Sequence, residues 1–117
     1  MDAHQKAVLA ATAAADKKAA DVVVLEVGDL TVVTDYFVIA SGANPIQVKA
    51  IVDHVLEELE ARGFKPLGVE GYTDGRWVLL DFGDVVVHVM NPEQRDYYGL
   101  ERLWGDARRV ELEQAPS

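Results

Sequence analysis

Two apolar runs of strand-forming residues flank Gly83-Asp84, and the stretch from Arg76 to Trp104 that contains them has the sharpest patterning in the chain. A glycine in the first central position suits a two-residue primed hairpin turn, which sets Phe82 opposite Val85. In that register, period-two alternation places Val78, Leu80, Phe82, Val85, Val87 and Val89 on one face, the predicted core. The opposite face carries Trp77, Leu79, Asp81, Val86, His88 and Met90, with Trp77 across from Met90 and Leu79 across from His88. That second face is apolar but dotted with polar groups. Two readings of it stand: a helix of the same chain covers it, or it is a docking surface for a partner.

The remaining elements follow from the same kind of pattern. Residues 3–19 are alanine-rich with Lys and Asp interspersed, which predicts a helix with a thin apolar stripe lying on the surface. Residues 22–27 and 35–41 read as strands, and Leu30, Val32 and Val33 between them are expected to pack or to extend a sheet edge. Asn44 is placed to cap a helix, Pro45 fits its first position, and Gln47 falls where a capping box puts it. Between Pro45 and Gly63, Val48, Ile51, Val52, Val55, Leu56 and Leu59 form one apolar stripe, and Gly63 stops the helix. A strand near Pro66 to Gly71 leads through the turn-rich Tyr72-Thr73-Asp74-Gly75 into the hairpin. The Asn-Pro-x-Gln pattern recurs at 91–94, predicting a short third helix, and an acidic tail from about Val110 is expected to fray.

The predicted order is helix, two strands, helix, three strands, short helix. This is a single α/β domain with a mixed β-sheet flanked by helices: an N-terminal helix over 1–20, a core over 21–107 and a tail over 108–117. At 117 residues and 50% hydrophobic, the chain is long enough for a real core without disulfide or metal staples. It has no cysteine, which excludes disulfide frameworks and thiolate metal sites. The start of the chain lacks a long apolar segment after basic residues, so a soluble, cytoplasmic protein without a membrane span is expected. A formal net charge of −9 argues against nucleic-acid binding as the main activity and is compatible with plain solubility or with a basic partner.

Candidate chemistry is sparse. His4, His54 and His88 are scattered and show no zinc spacing, so no metal and no cofactor is expected. His88 lies diagonal to Asp81, a pair that suits either general-base work or, more simply, a carboxylate orienting a half-buried imidazole. Ser41-Gly42 follows a strand and precedes a helix, as phosphate-binding turns do. Nucleotidyl transfer, however, needs carboxylates converging on Mg²⁺, and Asp81 and Asp84 merely straddle the turn. No P-loop, dinucleotide fingerprint or nucleophile elbow is present. A small nucleotide-binding or nucleotidyltransferase-like enzyme using Ser41, Asp81 and His88 is therefore the rival reading, and a non-enzyme the preferred one.

The segments DYFVIASG at 35–42, EGYTDGRWVLLDFGDVVVHVM at 70–90 and RDYYGLERLWGDA at 95–107 together resemble the ribosomal silencing factor family, also called Iojap-related. The resemblance spans roughly Asp21 to Ala107. It implies a nucleotidyltransferase-like topology without catalytic motifs or demonstrated catalysis, and a homodimer in the free state. It also implies translational repression, by binding the large ribosomal subunit through its fourteenth ribosomal protein so that the small subunit cannot join. The chain departs from the family pattern at Asn44, Pro45 and Ile46, where a small residue and then Arg or His is usual, which weakens a phosphate or RNA contact at that loop.

Pattern and resemblance point to one face. Trp77, Leu79, Val86, His88 and Met90 on the hairpin, with Tyr98, Leu100, Leu103 and Trp104 after it, are expected to form an apolar centre, and Asp74, Asp81 and Glu101 an acidic rim. Leu100, Leu103 and Trp104 share the spacing of a helical face. Trp104 suits a buried anchor and an interface hot spot equally well.

Overall fold

The computed structural model describes residues 1–112. Helix α1, Ala3–Asp16, starts at a capping box: the Asp2 carboxylate accepts from the Gln5 amide at 2.8 Å, and the Gln5 side chain accepts from the Asp2 amide at 3.0 Å. Strands β1, Ala20–Glu26, and β2, Tyr36–Ser41, pair antiparallel. Helix α2, Pro45–Ala61, is capped by Asn44, whose side chain accepts from Gln47 N at 2.9 Å. The Gln47 side chain does not close the expected box. It accepts from Ala43 N instead and donates to the carbonyls of Lys17 and Lys18, tying the start of α2 to the end of α1.

Strand β3, Gly68–Glu70, is followed by β4, Trp77–Asp81, and β5, Val85–Met90. The hairpin has the register read from the sequence, Trp77 opposite Met90 through Asp81 opposite Val86, and Gly83 takes a φ of +85°. Helix α3, Pro92–Tyr98, is capped by Asn91 through Gln94 N at 2.7 Å. Gly99, in the left-handed region at φ +56°, breaks it from the short helix α4, Leu100–Leu103. The sheet runs β3-β4-β5-β2-β1 and ends on β6, Arg108–Val110. Among the described residues only the central pair, β2 and β5, is parallel, which makes the sheet mixed.

Helices α1 and α2 cover one face. The expected hairpin core face packs there in full with Val48, Ile51, Val52, Val55 and Leu59 of α2, each of these five having no exposed surface. Burial of such side chains contributes about 1.5–3 kcal/mol each before the entropy cost of ordering them. The second face carries a smaller cluster of Leu25, Val27, Ile39 and Met90, covered by Trp77, Phe37, Leu100, Trp104 and Ala107.

Three further expectations need correction. Helix α1 is not a surface helix: Ala7, Ala10, Ala11, Ala13 and Ala14 are buried, because a methyl stripe lets the helix backbone approach α2 and β2 closely. Lys6 is buried with them, its Nζ 2.8 Å from Asp84 Oδ1 and 4.4 Å from the Phe64 ring centre. Leu30, Val32 and Val33 neither pack nor extend an edge. Val27 O accepts from both Leu30 N and Thr31 N while Asp35 O closes the loop, leaving the tip in solvent with Val32 and Val33 exposed. Residues 108–110 do not fray: they pair with Glu26–Val24, and Val110 and Leu112 pack on the core. The rest of the predicted tail, 113–117, lies outside the described residues.

Candidate functional site

The second hairpin face divides into buried and open parts. Met90 has no exposed surface, lying beneath Trp77, Leu100 and Trp104, while His88 and Val86 are buried at 5% and 7% exposure. These three expected contact residues therefore support the face rather than line it. Trp77 and Leu79 are half-buried, while Tyr98, Leu103 and the neighbouring Tyr97 are exposed. The Trp77 and Tyr98 rings meet at a tilt of 50° with centroids 4.8 Å apart, and Tyr97 meets Tyr98 edge-on at 5.0 Å. A shallow groove of about 310 Å³ opens between Glu70, Gly71, Trp77 and Leu79. Gly71 lets its own backbone approach that of Trp77 closely: at φ +81° a Cβ would stand 2.1 Å from the Trp77 carbonyl oxygen.

His88 organises the patch from below. Its Nδ1 accepts from Trp77 Nε1 at 3.1 Å, and its ring meets Phe37 edge-on at 5.2 Å. That bond assigns the proton of the neutral ring to Nε2, which is buried without a partner among the described residues. Burial pushes the imidazole down to about 4, so at neutral pH it is an uncharged acceptor that orients the indole. The expected contact with Asp81 does not form. The Asp81 carboxylate instead accepts from Gly83 N two residues on, at 2.8 Å, and closes the turn. Trp104 takes the anchoring position: half-buried, its ring meets Phe37 at a tilt, 5.4 Å between centroids, and ties the α4 segment to the sheet.

The acidic rim is weaker than expected, because its members are engaged. Asp74 is exposed and bonds Arg76 at 2.8 Å, which holds its carboxyl below the usual range. Glu101 accepts from Arg95 Nε at 2.7 Å and lies 3.4 Å from Arg109, and the Arg95 bond is the main cause of its lowered pKa. Arg95 also donates to Ser41 Oγ at 2.8 Å, clipping α3 and α4 to the end of β2. Pattern reading missed this clip and the exposed Tyr97. An open pocket of about 510 Å³ lies over it, lined in part by Ser41, Arg95, Glu101, Arg102 and Arg109. The residues of the rival enzyme reading are not brought together: Ser41 is held by Arg95, His88 by Trp77, Asp81 by the turn, and Asp84 by Lys6.

The family described as "Ribosomal silencing factor during starvation" matches residues 1–117. A Bacillus subtilis protein named ribosomal silencing factor RsfS is 42% identical over 112 residues, covering 94% of this chain and 95% of that relative. The chain belongs to the ribosomal silencing factor family. A solved Chromobacterium violaceum structure shares its fold at a TM-score of 0.87 with 40% identity, covering all of this chain and 92% of the other. A Mus musculus relative, named "Mitochondrial assembly of ribosomal large subunit protein 1", is 36% identical over 91 residues, covering 75% of this chain and 40% of that protein. The family names denote regulatory proteins rather than enzymes. No helix among the described residues is long and apolar enough to cross a membrane.

Proposed function

We propose that this protein is a cytoplasmic translational repressor that docks on the large ribosomal subunit through the Trp77–Leu79–Tyr98 face and blocks small-subunit joining by its bulk. The observation that carries the reading is the open aromatic pair of Trp77 and Tyr98 beside an apolar groove, its indole held in place by a buried neutral histidine. Pre-ordered aromatic surface of this kind supplies binding energy at little entropic cost. The names of the relatives point the same way: silencing of ribosomes in one, large-subunit assembly in another. Within that subunit, the fourteenth ribosomal protein is the proposed contact. The net charge of −9 favours a basic partner and speeds encounter, while the aromatic centre holds the complex. No chemical step is involved, and the free protein is proposed to be a homodimer.

The test is sedimentation of the purified protein with separated large and small subunits, followed by a subunit-joining assay. Co-sedimentation with the large subunit alone, and inhibition of joining, are expected. Trp77→Ala and Tyr98→Ala should each weaken binding by about 2 kcal/mol, on the order of 30-fold in Kd. A thermal melt run beside the assay identifies variants that remain folded. Full binding by folded variants of both residues would overturn the assignment of this face.

A further inference from the structure

On the opposite side of the molecule, where α1 meets α2, the fold assembles a donor set that no spacing in the sequence announces. His54 and Glu58 are one turn apart on α2, and Asp16 is the last residue of α1. His54 Nε2 lies 3.4 Å from Asp16 Oδ2 and 3.6 Å from Glu58 Oε1, and the three ligand atoms all fall within 4.8 Å of one another. We propose that Asp16, His54 and Glu58 form a binding site for a borderline divalent transition ion of the zinc type, clamping the end of α1 to the middle of α2.

The geometry supports this quantitatively. Metal–nitrogen and metal–oxygen bonds of about 2.1 Å at tetrahedral angles put neighbouring ligand atoms about 3.4 Å apart. The two edges that meet at His54 already have that length. The Asp16–Glu58 edge lies within 4.8 Å, and both carboxylates sit on exposed side chains, at 56% and 43% exposure, that can turn to set it. The imidazole, by contrast, is 20% exposed and held between the helices, so the nitrogen ligand is pre-placed.

Charge and donor type narrow the ligand class. Two carboxylates face one imidazole, and neither has a Lys or Arg nitrogen within 4.0 Å among the described residues, although Lys17 follows Asp16 and Arg62 lies one turn beyond Glu58. A cation would complete this set. One nitrogen and two oxygens suit zinc and its neighbours, whereas Mg²⁺ and Ca²⁺ prefer all-oxygen shells. Three protein ligands leave a fourth position for water. The site lies on the helical layer, away from the aromatic face, so occupancy strengthens the α1–α2 contact without covering the proposed docking surface.

The experiment is a thermal melt of the full chain with ZnCl2 or MgCl2 in a non-chelating buffer, paired with zinc calorimetry. Zinc at about 100 times its Kd should raise Tm by roughly 10 °C, with one ion bound per chain, and magnesium should do nothing comparable. The zinc-dependent shift, read as a difference within each variant, should vanish in His54→Ala and Asp16→Asn and persist in His4→Ala. Loss of the shift in His4→Ala, its persistence in His54→Ala, or its absence from the unaltered chain would each overturn the proposal. Large-subunit co-sedimentation should be unchanged in His54→Ala, so failure of this site and failure of the docking face are separately visible.

Discussion

The buried imidazole of His88 ties folding to acidity in a way that can be measured. Its pKa falls from the ordinary 6.5 to about 4 because desolvation penalises the charged ring. The folded value is depressed, so between the two values the unfolded chain binds the extra proton and the native chain does not. The stabilisation is fully present above pH 6.5 and is lost as pH falls through about 4. At 1.36 kcal/mol per unit, lowering the pH from 7.5 to 5 should remove about 2 kcal/mol through this group. The assay is urea unfolding at both pH values for the unaltered chain and for His88→Leu, which keeps an apolar volume in the site and cannot titrate. The unaltered chain should lose about 2 kcal/mol more than the variant, and subtracting the two cancels every other titrating group. Equal losses would show that His88 is hydrated or charged in the native state, and the account of how Trp77 is oriented would fail with it.

Other perturbations test the supports of the same face and of the core. Gly71→Ala should cost about 2 kcal/mol or more and weaken large-subunit binding together with stability, because the new Cβ meets the Trp77 carbonyl at 2.1 Å in a left-handed backbone; an unchanged melt would refute the close approach. Arg95→Ala should lower unfolding free energy by about 2 kcal/mol, since Glu101 and the buried Ser41 hydroxyl lose a shared donor whose own side chain is 11% exposed. Arg95→Lys should recover only part of that, because an ammonium cannot reproduce the guanidinium fork, and full recovery in urea titration would argue against the clip. Ala11→Leu should destabilise by about 1–3 kcal/mol through overpacking between α1 and its neighbours; a neutral result would return α1 to the surface.

Local signals were legible in the chain without a structure. Gly83 between two strand-forming runs determined the hairpin register, and the repeated Asn-Pro-x-Gln pattern determined two helix starts, since each depends on residues within a few positions of one another. The apolar stripe of α2 and the core face of the hairpin followed from periodicity, and the three ordered motifs pointed to the family. Tertiary structure decided the rest. Whether Trp77 or Met90 reached the surface depended on where α4 folded back, and both residues are equally apolar in the sequence. The Arg95–Ser41 bond joins residues 54 positions apart, and Asp16 meets His54 across 38. Alanines read as a thin stripe became a tight helix contact because closeness of approach depends on the partner surface as much as on the helix. Side-chain chemistry sets which partners a residue accepts, but over such separations only the folded path of the backbone decides which one it meets.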